Sequence, residues 1–247
     1  MSASRAAARA RAVDGDPRVD RIDWTRVAGD LDAHGWAKLE GILAAGECAA
    51  LAGLYAEERH FRSHVIMARH GFGRGEYKYF SYPLPEPIAS LRERLYERLV
   101  PIANRWNASM GIDVGYPSSH AEFIARCHEA GQKRPTPLLL QYGEGDFNAL
   151  HQDVYGVHLF PLQVAILLSE PGKDFTGGEF VLTEQRPRMQ SRAEVVPLGR
   201  GDAVVFAVRH RPVKGTRGTY RVNLRHGVSR LRSGHRHTAG VIFHDAQ

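Results

Sequence analysis

The 247-residue chain has only two cysteines, Cys48 and Cys127, and neither belongs to a Cys-x-x-Cys pair. Two distant thiols argue against a disulfide framework and against a thiolate zinc site. The sequence also lacks an apolar run long enough to cross a bilayer, so we expect no contact with a membrane. Reduced thiols and the missing span together predict a cytoplasmic protein.

Acidic residues are scarce in one long stretch of the sequence. From Arg186 to Arg236 there are thirteen lysines and arginines but only two acids, Glu194 and Asp202. The whole chain carries a formal net charge of +6. This stretch predicts either a solvated basic face beside a site or a surface that binds an anionic polymer such as nucleic acid. Composition leaves both interpretations open.

Length and hydrophobic content indicate one elaborated domain. A chain of this length with 43% hydrophobic residues can bury a sizeable core. We expect residues 1–20 to form a flexible basic arm, because the Ala/Arg-rich opening is followed by a linker-like Asp-Gly-Asp-Pro. Residues 21–247 then form a single domain, with a helical part over 21–135 and a β-rich part over 136–247.

The helical part is predicted from apolar residues that recur every three or four positions. Helices are expected over residues 22–34, 44–58, 87–107 and 119–130. Between the second and third of these, residues 61–85 mix basic and aromatic side chains around glycines, which predicts a long lid-like loop. Its rings and cations could stack on bases and pair with phosphates, or its rings could pack over the core. The substrate-binding candidates in this loop are Arg69, His70, Arg74, Tyr77 and Tyr79.

The β-rich part is predicted from short apolar runs separated by Gly, Pro and Asp turns. About eight such runs follow Pro135, and they are typical of a β-sandwich or barrel. The predicted fold class is therefore α+β. Its core is a double-stranded β-helix (a cupin-like jelly-roll), and the N-terminal helices pack on one sheet.

The motif around which we organise the functional prediction is His151-Gln152-Asp153. On a strand, alternate side chains share a face, so His151 and Asp153 are expected to project to the same side. An imidazole and a carboxylate supply two of the three ligands of the 2-His-1-carboxylate site that holds non-haem Fe(II). A hydrogen-bonded His–Asp pair would have the same pattern, so the prediction needs a third ligand.

Several later histidines could supply that ligand, and His226 is favoured because of the residues on its C-terminal side. His226 ends a long β run, and a Ser233-Gly234 turn can return the chain so that Arg236 enters the same cavity. A buried guanidinium without a carboxylate partner would be costly. Arg236 therefore predicts an anionic ligand. His210, in a basic turn, remains a rival third ligand, and His244 is interpreted as structural.

The spacing of these residues resembles a known family pattern. A His-x-Asp pair, a distal His, a Gly eight residues later and an Arg ten residues later resemble the 2-oxoglutarate/Fe(II)-dependent oxygenases of the prolyl-hydroxylase type. Longer strings are similar to a prokaryotic family of such oxygenases described as acting oxidatively on methylated, damaged DNA. These strings are His151–Gly156, Thr176–Leu182, Glu184–Arg188, Phe243–Ala246 and, upstream, Arg69–Tyr77.

The resemblance implies an oxidoreductase with named site residues. His151, Asp153 and His226 would be the catalytic iron ligands, Arg236 would bind the distal carboxylate of 2-oxoglutarate, and Tyr142 would assist it. The implied co-substrates are 2-oxoglutarate and O2. The implied reaction is hydroxylation of a C–H bond, which on an N-methyl group amounts to oxidative demethylation and repair of DNA or a nucleotide. Two residues of the basic stretch join the substrate candidates, Arg186 and Arg188.

Two alternatives remain open. The ten-residue spacing from His226 to Arg236 follows the protein hydroxylases, whereas AlkB dealkylases place two arginines further on. A protein (prolyl-type) or small-molecule hydroxylase with the same core is therefore the second hypothesis. A non-catalytic barrel with a structural metal is the third. Phosphate-led DNA binding would weaken steeply with salt, and this separates the first hypothesis from the other two. The sequence makes no prediction of the oligomeric state.

Overall fold

The structure, a computed structural model, describes residues 17–216 and 218–247. Most of the predicted basic arm, residues 1–16, lies outside the described residues, as does Arg217. The end of that arm differs from the prediction, because its last four residues form a helical turn in which Val19 is fully buried. An apolar side chain held in the core ties this part of the chain to the domain.

Five α-helices lie within the described residues, all before residue 130. They are α1 (Pro17–Asp20), α2 (Trp24–His34), α3 (Ala45–Gly53), α4 (Ile88–Ser109) and α5 (His120–Glu129). Local signals fix α2, because Asp23 accepts the N–H groups of Thr25 and Arg26 and Gly35 closes the helix with a left-handed φ of 79°. The helix predicted over 44–58 is shorter than expected, since α3 ends at Gly53 and 3-10 turns follow.

Fifteen strands lie within the same described ranges. They are β1 (Trp36–Leu39), β2 (Phe61–Ile66), β3 (Gly73–Arg74), β4 (Glu76–Phe80), β5 (Leu138–Tyr142), β6 (Phe147–His151), β7 (Leu162–Leu167), β8 (Phe175–Gly177), β9 (Phe180–Gln185), β10 (Ser191–Val196), β11 (Ala203–Ala207), β12 (His210–Gly215), β13 (Gly218–Val228), β14 (Leu231–Gly234) and β15 (Arg236–Val241).

The strands form two main antiparallel sheets. The larger has the order β1-β11-β7-β15-β5-β4-β2. The smaller has the order β10-β9-β13-β6-β3, with β12 paired to β13, and β14 pairs separately with β8. Strands that follow each other in the sequence are frequently not neighbours in a sheet, because the chain passes back and forth between the two sheets. The predicted jelly-roll core is confirmed.

The helices cover the outer face of the larger sheet. Leu91, Leu95 and Leu99 of α4 belong to one hydrophobic cluster with Val164 and Ile166 of β7. All six residues of β7 are buried, because alternate side chains face either the helices or the smaller sheet. The prediction that N-terminal helices pack on one sheet is confirmed.

The segment 61–85 differs from the predicted loop. It contains β2, β3 and β4, and β4 pairs with β5 so that the larger sheet gains two strands at its edge. A glycine is required at one point of this hairpin: Gly75 has a φ of 109°, and a Cβ there would lie 2.8 Å from the Tyr142 ring. Because β4 pairs with residues about 60 positions later, no local periodicity could reveal it.

Two buried ion pairs hold the helices to the core. Arg92 of α4 lies 2.7 Å from Asp245, and their side chains are 2% and 0% exposed. The Asp245 carboxylate also accepts hydrogen bonds from the Tyr82 hydroxyl and His128 Nε2. These contacts attach the C-terminal end of the described chain to α4 and α5.

The second buried pair lies at the end of the barrel beside α2. Arg211 of β12 pairs with Glu184 of β9, and it donates to the Asp32 carbonyl oxygen at 2.9 Å. Arg92 and Arg211, each paired with a buried carboxylate, therefore join secondary-structure elements.

Candidate metal centre

His151 and His226 face each other across two neighbouring strands. The register of β6 and β13 pairs them directly, and their ring centroids are 4.2 Å apart. A β-bulge follows His226, and Gly227 permits it, because a Cβ at that position would lie 2.6 Å from the Asn148 carbonyl oxygen. The bulge lets β13 approach β6 closely beside the two imidazoles.

Asp153 completes this cluster from outside the strand. The sequence predicted a strand through Asp153, but β6 ends at His151 and the chain then leaves the sheet. The carboxylate nevertheless lies 3.4 Å from Nε2 of His151 and 3.4 Å from Nε2 of His226. The three candidate ligand atoms lie within 4.8 Å of one another, which is a spacing that one metal ion could bridge.

Hydrogen bonds orient the histidine that ends β6. Nδ1 of His151 donates to the Ala149 carbonyl oxygen at 2.8 Å, which leaves the lone pair of Nε2 facing the cluster. Burial opposes a positive charge on His151, but the hydrogen bond that the protonated ring donates to Asp153, the charge of Asp153 and hydrogen bonds to the backbone together outweigh this and raise the pKa. Burial lowers the pKa of His226. Burial would raise the pKa of Asp153, yet hydrogen bonds from both histidines hold it well below its usual range.

The predicted rival, His210, lies elsewhere. It begins β12 opposite Asn223 and does not belong to the cluster. His244 is 1% exposed, and its Nδ1 accepts the backbone N–H of Phe160 at 3.3 Å. Among the described residues, the three side chains brought together are therefore the His151, Asp153 and His226 of the sequence motif.

Arg236 enters the same cavity from β15. It is 2% exposed, and its Nη1 donates to the Thr238 hydroxyl at 2.6 Å, whereas its Nε has no partner among the described residues. Glu179 attracts it only from a distance, and the carboxylate of Glu179 instead accepts the Ser229 hydroxyl. Burial lowers the pKa of Arg236 to about 10.

Tyr142 lies beside this arginine. The register of β5 and β15 pairs Tyr142 with Arg236, whose guanidinium carbon is 5.6 Å from the Tyr142 ring centroid. The hydroxyl is buried without a hydrogen-bond partner in the described chain, and burial raises its pKa to about 12. Two donors at this end of the cavity thus lack acceptors, a combination that fits a small anion.

The cavity between the sheets has a volume of about 330 Å³. Apolar rings close it around His226, because Phe206 lies 4.5 Å and Phe180 6.1 Å from the imidazole, centroid to centroid. Tyr77 and Tyr79 of β4 form a further wall, with centroids 5.4 Å apart. Two of the five substrate candidates in segment 61–85 therefore line the cavity.

The other three candidates of that segment lie near one exposed ring. Phe72 lines the cavity and is 47% exposed, and His70 stacks on it at 5.3 Å. Arg69 is exposed in the preceding 3-10 turn, and Arg74 of β3 is exposed at 3.7 Å from Asp146. Of these residues Phe72 lines the cavity at its exposed rim, and Arg69, His70 and Arg74 are its neighbours in the chain. The sequence did not single out Phe72.

The two candidates of the basic stretch lie outside the cavity wall. Arg186 follows β9 and donates to Glu184 at 2.9 Å, so a carboxylate already pairs with it. Arg188 is exposed and has a left-handed φ of 62°. Their side chains are available to a surface partner but do not reach the candidate metal centre.

Sequence reasoning missed two polar cavity residues, Gln163 and Tyr155. Each has a buried oxygen without a hydrogen-bond partner among the described residues. Gln163 was hidden because it lies in the apolar run Leu162–Leu167, where one polar residue is easily read as part of a buried strand. That single polar residue was the available signal.

No helix in the described part of the chain is both long and apolar enough to cross a membrane.

Comparison with known proteins adds family information to this geometry. Residues 75–246 match a family model described as "Oxygenase, catalysing oxidative methylation of damaged DNA". Uncharacterised proteins of two strains of Mycobacterium tuberculosis are 51% identical to the chain over 167 residues, which cover 68% of this chain and 72% of each relative.

Solved structures share the fold at low sequence identity. A prolyl-4-hydroxylase of Pseudomonas putida aligns with a TM-score of 0.51 and 16% identity, over 91% of this chain and 99% of that one. An oxidoreductase of the 2OG-Fe(II) oxygenase family from Burkholderia pseudomallei aligns with a TM-score of 0.50 and 17% identity, over 92% and 94%. These likenesses support the jelly-roll assignment.

Proposed function

The chain belongs to the oxygenase family described as acting on damaged DNA, and from this premise we propose an Fe(II)- and 2-oxoglutarate-dependent dioxygenase that oxidises an N-methyl group on DNA or a nucleotide. The observation that carries the proposal is a buried arginine, Arg236, without a carboxylate partner among the described residues, in a cavity that also holds a His-Asp-His cluster. A dicarboxylate co-substrate would supply the missing charge.

The residues fit both groups. His151, Asp153 and His226 would hold Fe(II), since two imidazoles and a carboxylate are the donor set of non-haem iron oxygenases. Arg236 and Tyr142 would bind the distal carboxylate, because their unpartnered N–H and O–H groups are donors without acceptors in the described chain. When bound, iron, 2-oxoglutarate and O2 supply the oxidising power that hydroxylates a C–H bond, and they yield succinate and carbon dioxide.

The protein's own contribution is to orient and to exclude water. The hydrogen bond from His151 to Ala149 fixes the ring with Nε2 towards the cluster. Phe206 and Phe180 shield His226 from solvent, so a reactive group in the cavity meets few water molecules. A hydroxylated N-methyl group then loses formaldehyde and leaves the unmodified base.

The rim of the cavity supports a nucleic-acid substrate. Phe72 offers an exposed ring on which a base can stack, and Arg69 and Arg74 lie on the same hairpin for contact with phosphates. A cytoplasmic location is part of this proposal, since Cys48 and Cys127 are buried free thiols.

A second candidate is a protein or small-molecule hydroxylase with the same core. The observation that favours it is the ten-residue spacing from His226 to Arg236, which follows the prolyl-hydroxylase pattern. In this case the same residues would hold iron and the co-substrate, and only the substrate would differ.

Succinate release tests the proposal. The purified protein is supplied with Fe(II) and 2-oxoglutarate, together with alkylated DNA, alkylated RNA, modified nucleosides or proline-containing peptides. We expect alkylated DNA or nucleosides to stimulate release, and we expect Arg236→Ala to abolish it. Stimulation by peptides alone would favour the second candidate. Iron retention by His226→Ala together with its loss in His210→Ala would overturn the ligand assignment.

A further inference from the structure

The cavity has a second polar end, and we propose that Gln163, together with Tyr155, recognises the polar edge of a nucleobase and determines which base is oxidised. This inference rests on the proposed function, because the base is taken to be the substrate of the metal centre. It assigns a specificity role to residues that neither hold iron nor bind the co-substrate.

Gln163 is buried without being satisfied. It is 7% exposed, it lines the cavity, and its Oε1 has no hydrogen-bond partner among the described residues. A buried amide oxygen normally has a partner, and an unpaired one is costly. A ligand that hydrogen-bonds to Gln163 on entering the cavity therefore gains more affinity than the same contact would give at an exposed site.

The strand register places Gln163 far from Arg236. Gly240 of β15 pairs with Ala165 of β7. Gln163 lies two residues before Ala165 on the same strand, and it lines the cavity as Ala165 does. It is thus level with a position six residues beyond Arg236, roughly 20 Å along the strand at about 3.3 Å per residue. A five-carbon diacid held by Arg236 is much shorter than this, so Gln163 belongs to the other end of the cavity.

Gln163 is nevertheless close to the metal centre. It pairs across the sheet with Phe206, whose ring lies 4.5 Å from that of His226, centroid to centroid. A group hydrogen-bonded to Gln163 would therefore lie on the substrate side of the His-Asp-His cluster. This is where a base must be held for its methyl group to be oxidised.

Aromatic side chains line the same cavity. Tyr77 and Tyr79 supply ring surfaces, and the Tyr155 hydroxyl is a second buried oxygen without a partner in the described chain. Flat walls and two polar groups are suited to a planar ring.

The chemistry of a carboxamide selects among planar rings. The unpaired Oε1 of Gln163 is an acceptor, and the exocyclic amino group of adenine or cytosine can donate to it even when the neighbouring ring nitrogen carries a methyl group. A proline side chain has no such polar edge. The arrangement therefore favours a base over a prolyl substrate, and Gln163→Glu, which replaces the donor by a second acceptor, should change the preferred base.

Binding of short single-stranded oligonucleotides tests this role without relying on turnover. Oligonucleotides with one 1-methyladenine, one 3-methylcytosine or no modification are titrated by fluorescence anisotropy against the wild type and variants. We expect Gln163→Leu to weaken binding of the preferred modified oligonucleotide about tenfold, as for one lost buried hydrogen bond. We expect Gln163→Glu to alter the ranking of the two modified bases. Gln185→Leu, an exposed glutamine at the end of β9, is the matched control and should bind as the wild type does.

Co-substrate kinetics separates this role from its rivals. In Gln163→Leu the affinity for the preferred oligonucleotide should fall more than the affinity for 2-oxoglutarate, and thermal melting checks that the variant is folded. A raised KM for 2-oxoglutarate with unchanged oligonucleotide binding would assign Gln163 to the co-substrate and overturn the proposal. So would equal binding of all oligonucleotides by wild type and Gln163→Leu. If Gln163-dependent binding persists but no 2-oxoglutarate is consumed, the proposed function fails and only the recognition of the base by Gln163 stands.

Discussion

Three arginines are buried to the same extent, but they differ in what surrounds their charge. Arg92, beneath the helices, has Asp245 as its partner, and Arg211, at the end of the barrel, has Glu184. Arg236, between the two sheets, has a hydroxyl and no carboxylate within salt-bridge distance among the described residues. Equal burial with unequal pairing separates two arginines that join elements of the fold from one whose charge has no carboxylate partner.

The difference has an energetic meaning. Burying a charge is favourable only when a partner compensates for it, and a lone buried guanidinium lowers the stability of the empty protein. The helix-covered side of the larger sheet is therefore electrostatically complete, whereas the cavity side is incomplete until an anion arrives. Substitutions can test both the paired arginines and the unpaired one.

The largest effect is expected on the complete side. Asp245→Asn should lower the free energy of unfolding by about 3–5 kcal/mol, because it leaves Arg92 buried and unpaired. Urea unfolding at neutral pH measures this. The control is Asp30→Asn, which removes a solvent-accessible ion pair with Arg26 and should cost less than about 1 kcal/mol. Similar losses for the two variants would mean that the buried pair does not stabilise the helix side.

Acid should weaken the same region. His120 lies 8% exposed with Nε2 at 2.9 Å from the Phe243 carbonyl oxygen, and burial, aided by the Arg92 guanidinium, lowers its pKa from 6.5 to about 4. The unfolded chain therefore takes up this proton at a higher pH than the folded chain. The free energy of unfolding should fall by roughly 3 kcal/mol as the pH falls from about 6.5 to about 4, and this contribution should be constant above that window.

A non-titrating side chain at this position isolates the effect. In urea unfolding across that pH range, His120→Gln should remove about half of the slope, because burial also lowers the pKa of His244 to about 4. Replacement of the exposed His34 by Gln should leave the slope intact. An unchanged slope in His120→Gln would show that another group controls the acid sensitivity.

Arg236→Met challenges the open side. We expect its affinity for 2-oxoglutarate to fall about 30-fold, close to about 2 kcal/mol, as for a lost charge-assisted hydrogen bond. Its Tm should equal or exceed that of the wild type, because an uncompensated buried charge is removed. Arg92→Met is the matched variant and should lower the Tm. The contrast breaks if thermal melts show both variants to be equally destabilised.

The smallest effect is expected at the rim of the cavity. Arg69→Ser and Arg74→Ser should each reduce the slope of log affinity for DNA against log salt by about 1, as for one lost phosphate contact. Arg186→Ser should change the slope less, since Glu184 already pairs with Arg186. Binding titrations at several salt concentrations measure this. A larger change in Arg186→Ser would place the DNA contact on the basic stretch instead.

Local patterns predicted most of the fold but not its added edge. The helices and the strands after residue 135 follow from periodicity and turn residues, and the observed bounds differ by a few positions. Strands β2 and β4 escaped because β4 is specified by its pairing with β5, a contact between distant residues. Short strands such as β8 and β14 were also missed, because three or four residues are too few to show an alternating pattern.

The site was predicted in outline for a different reason. His151, Asp153 and His226 are named by residue type and order, so the sequence could propose them without their geometry. The prediction that Asp153 shares a strand face with His151 was wrong, because β6 ends first. The sequence did not predict that the Arg186 side chain would pair with Glu184, because this contact depends on the folded structure.

The hairpin of β2 and β4 has a consequence for how such a protein can diverge. Tyr77 and Tyr79 reach the cavity from β4, the strand next to the edge of the larger sheet, whereas the iron-ligand candidates belong to the smaller sheet and its loops. Mutations in this hairpin can therefore change the cavity wall that contacts a bound substrate without altering the residues of the candidate metal centre. A lineage could change its target in small steps while its chemistry stays the same.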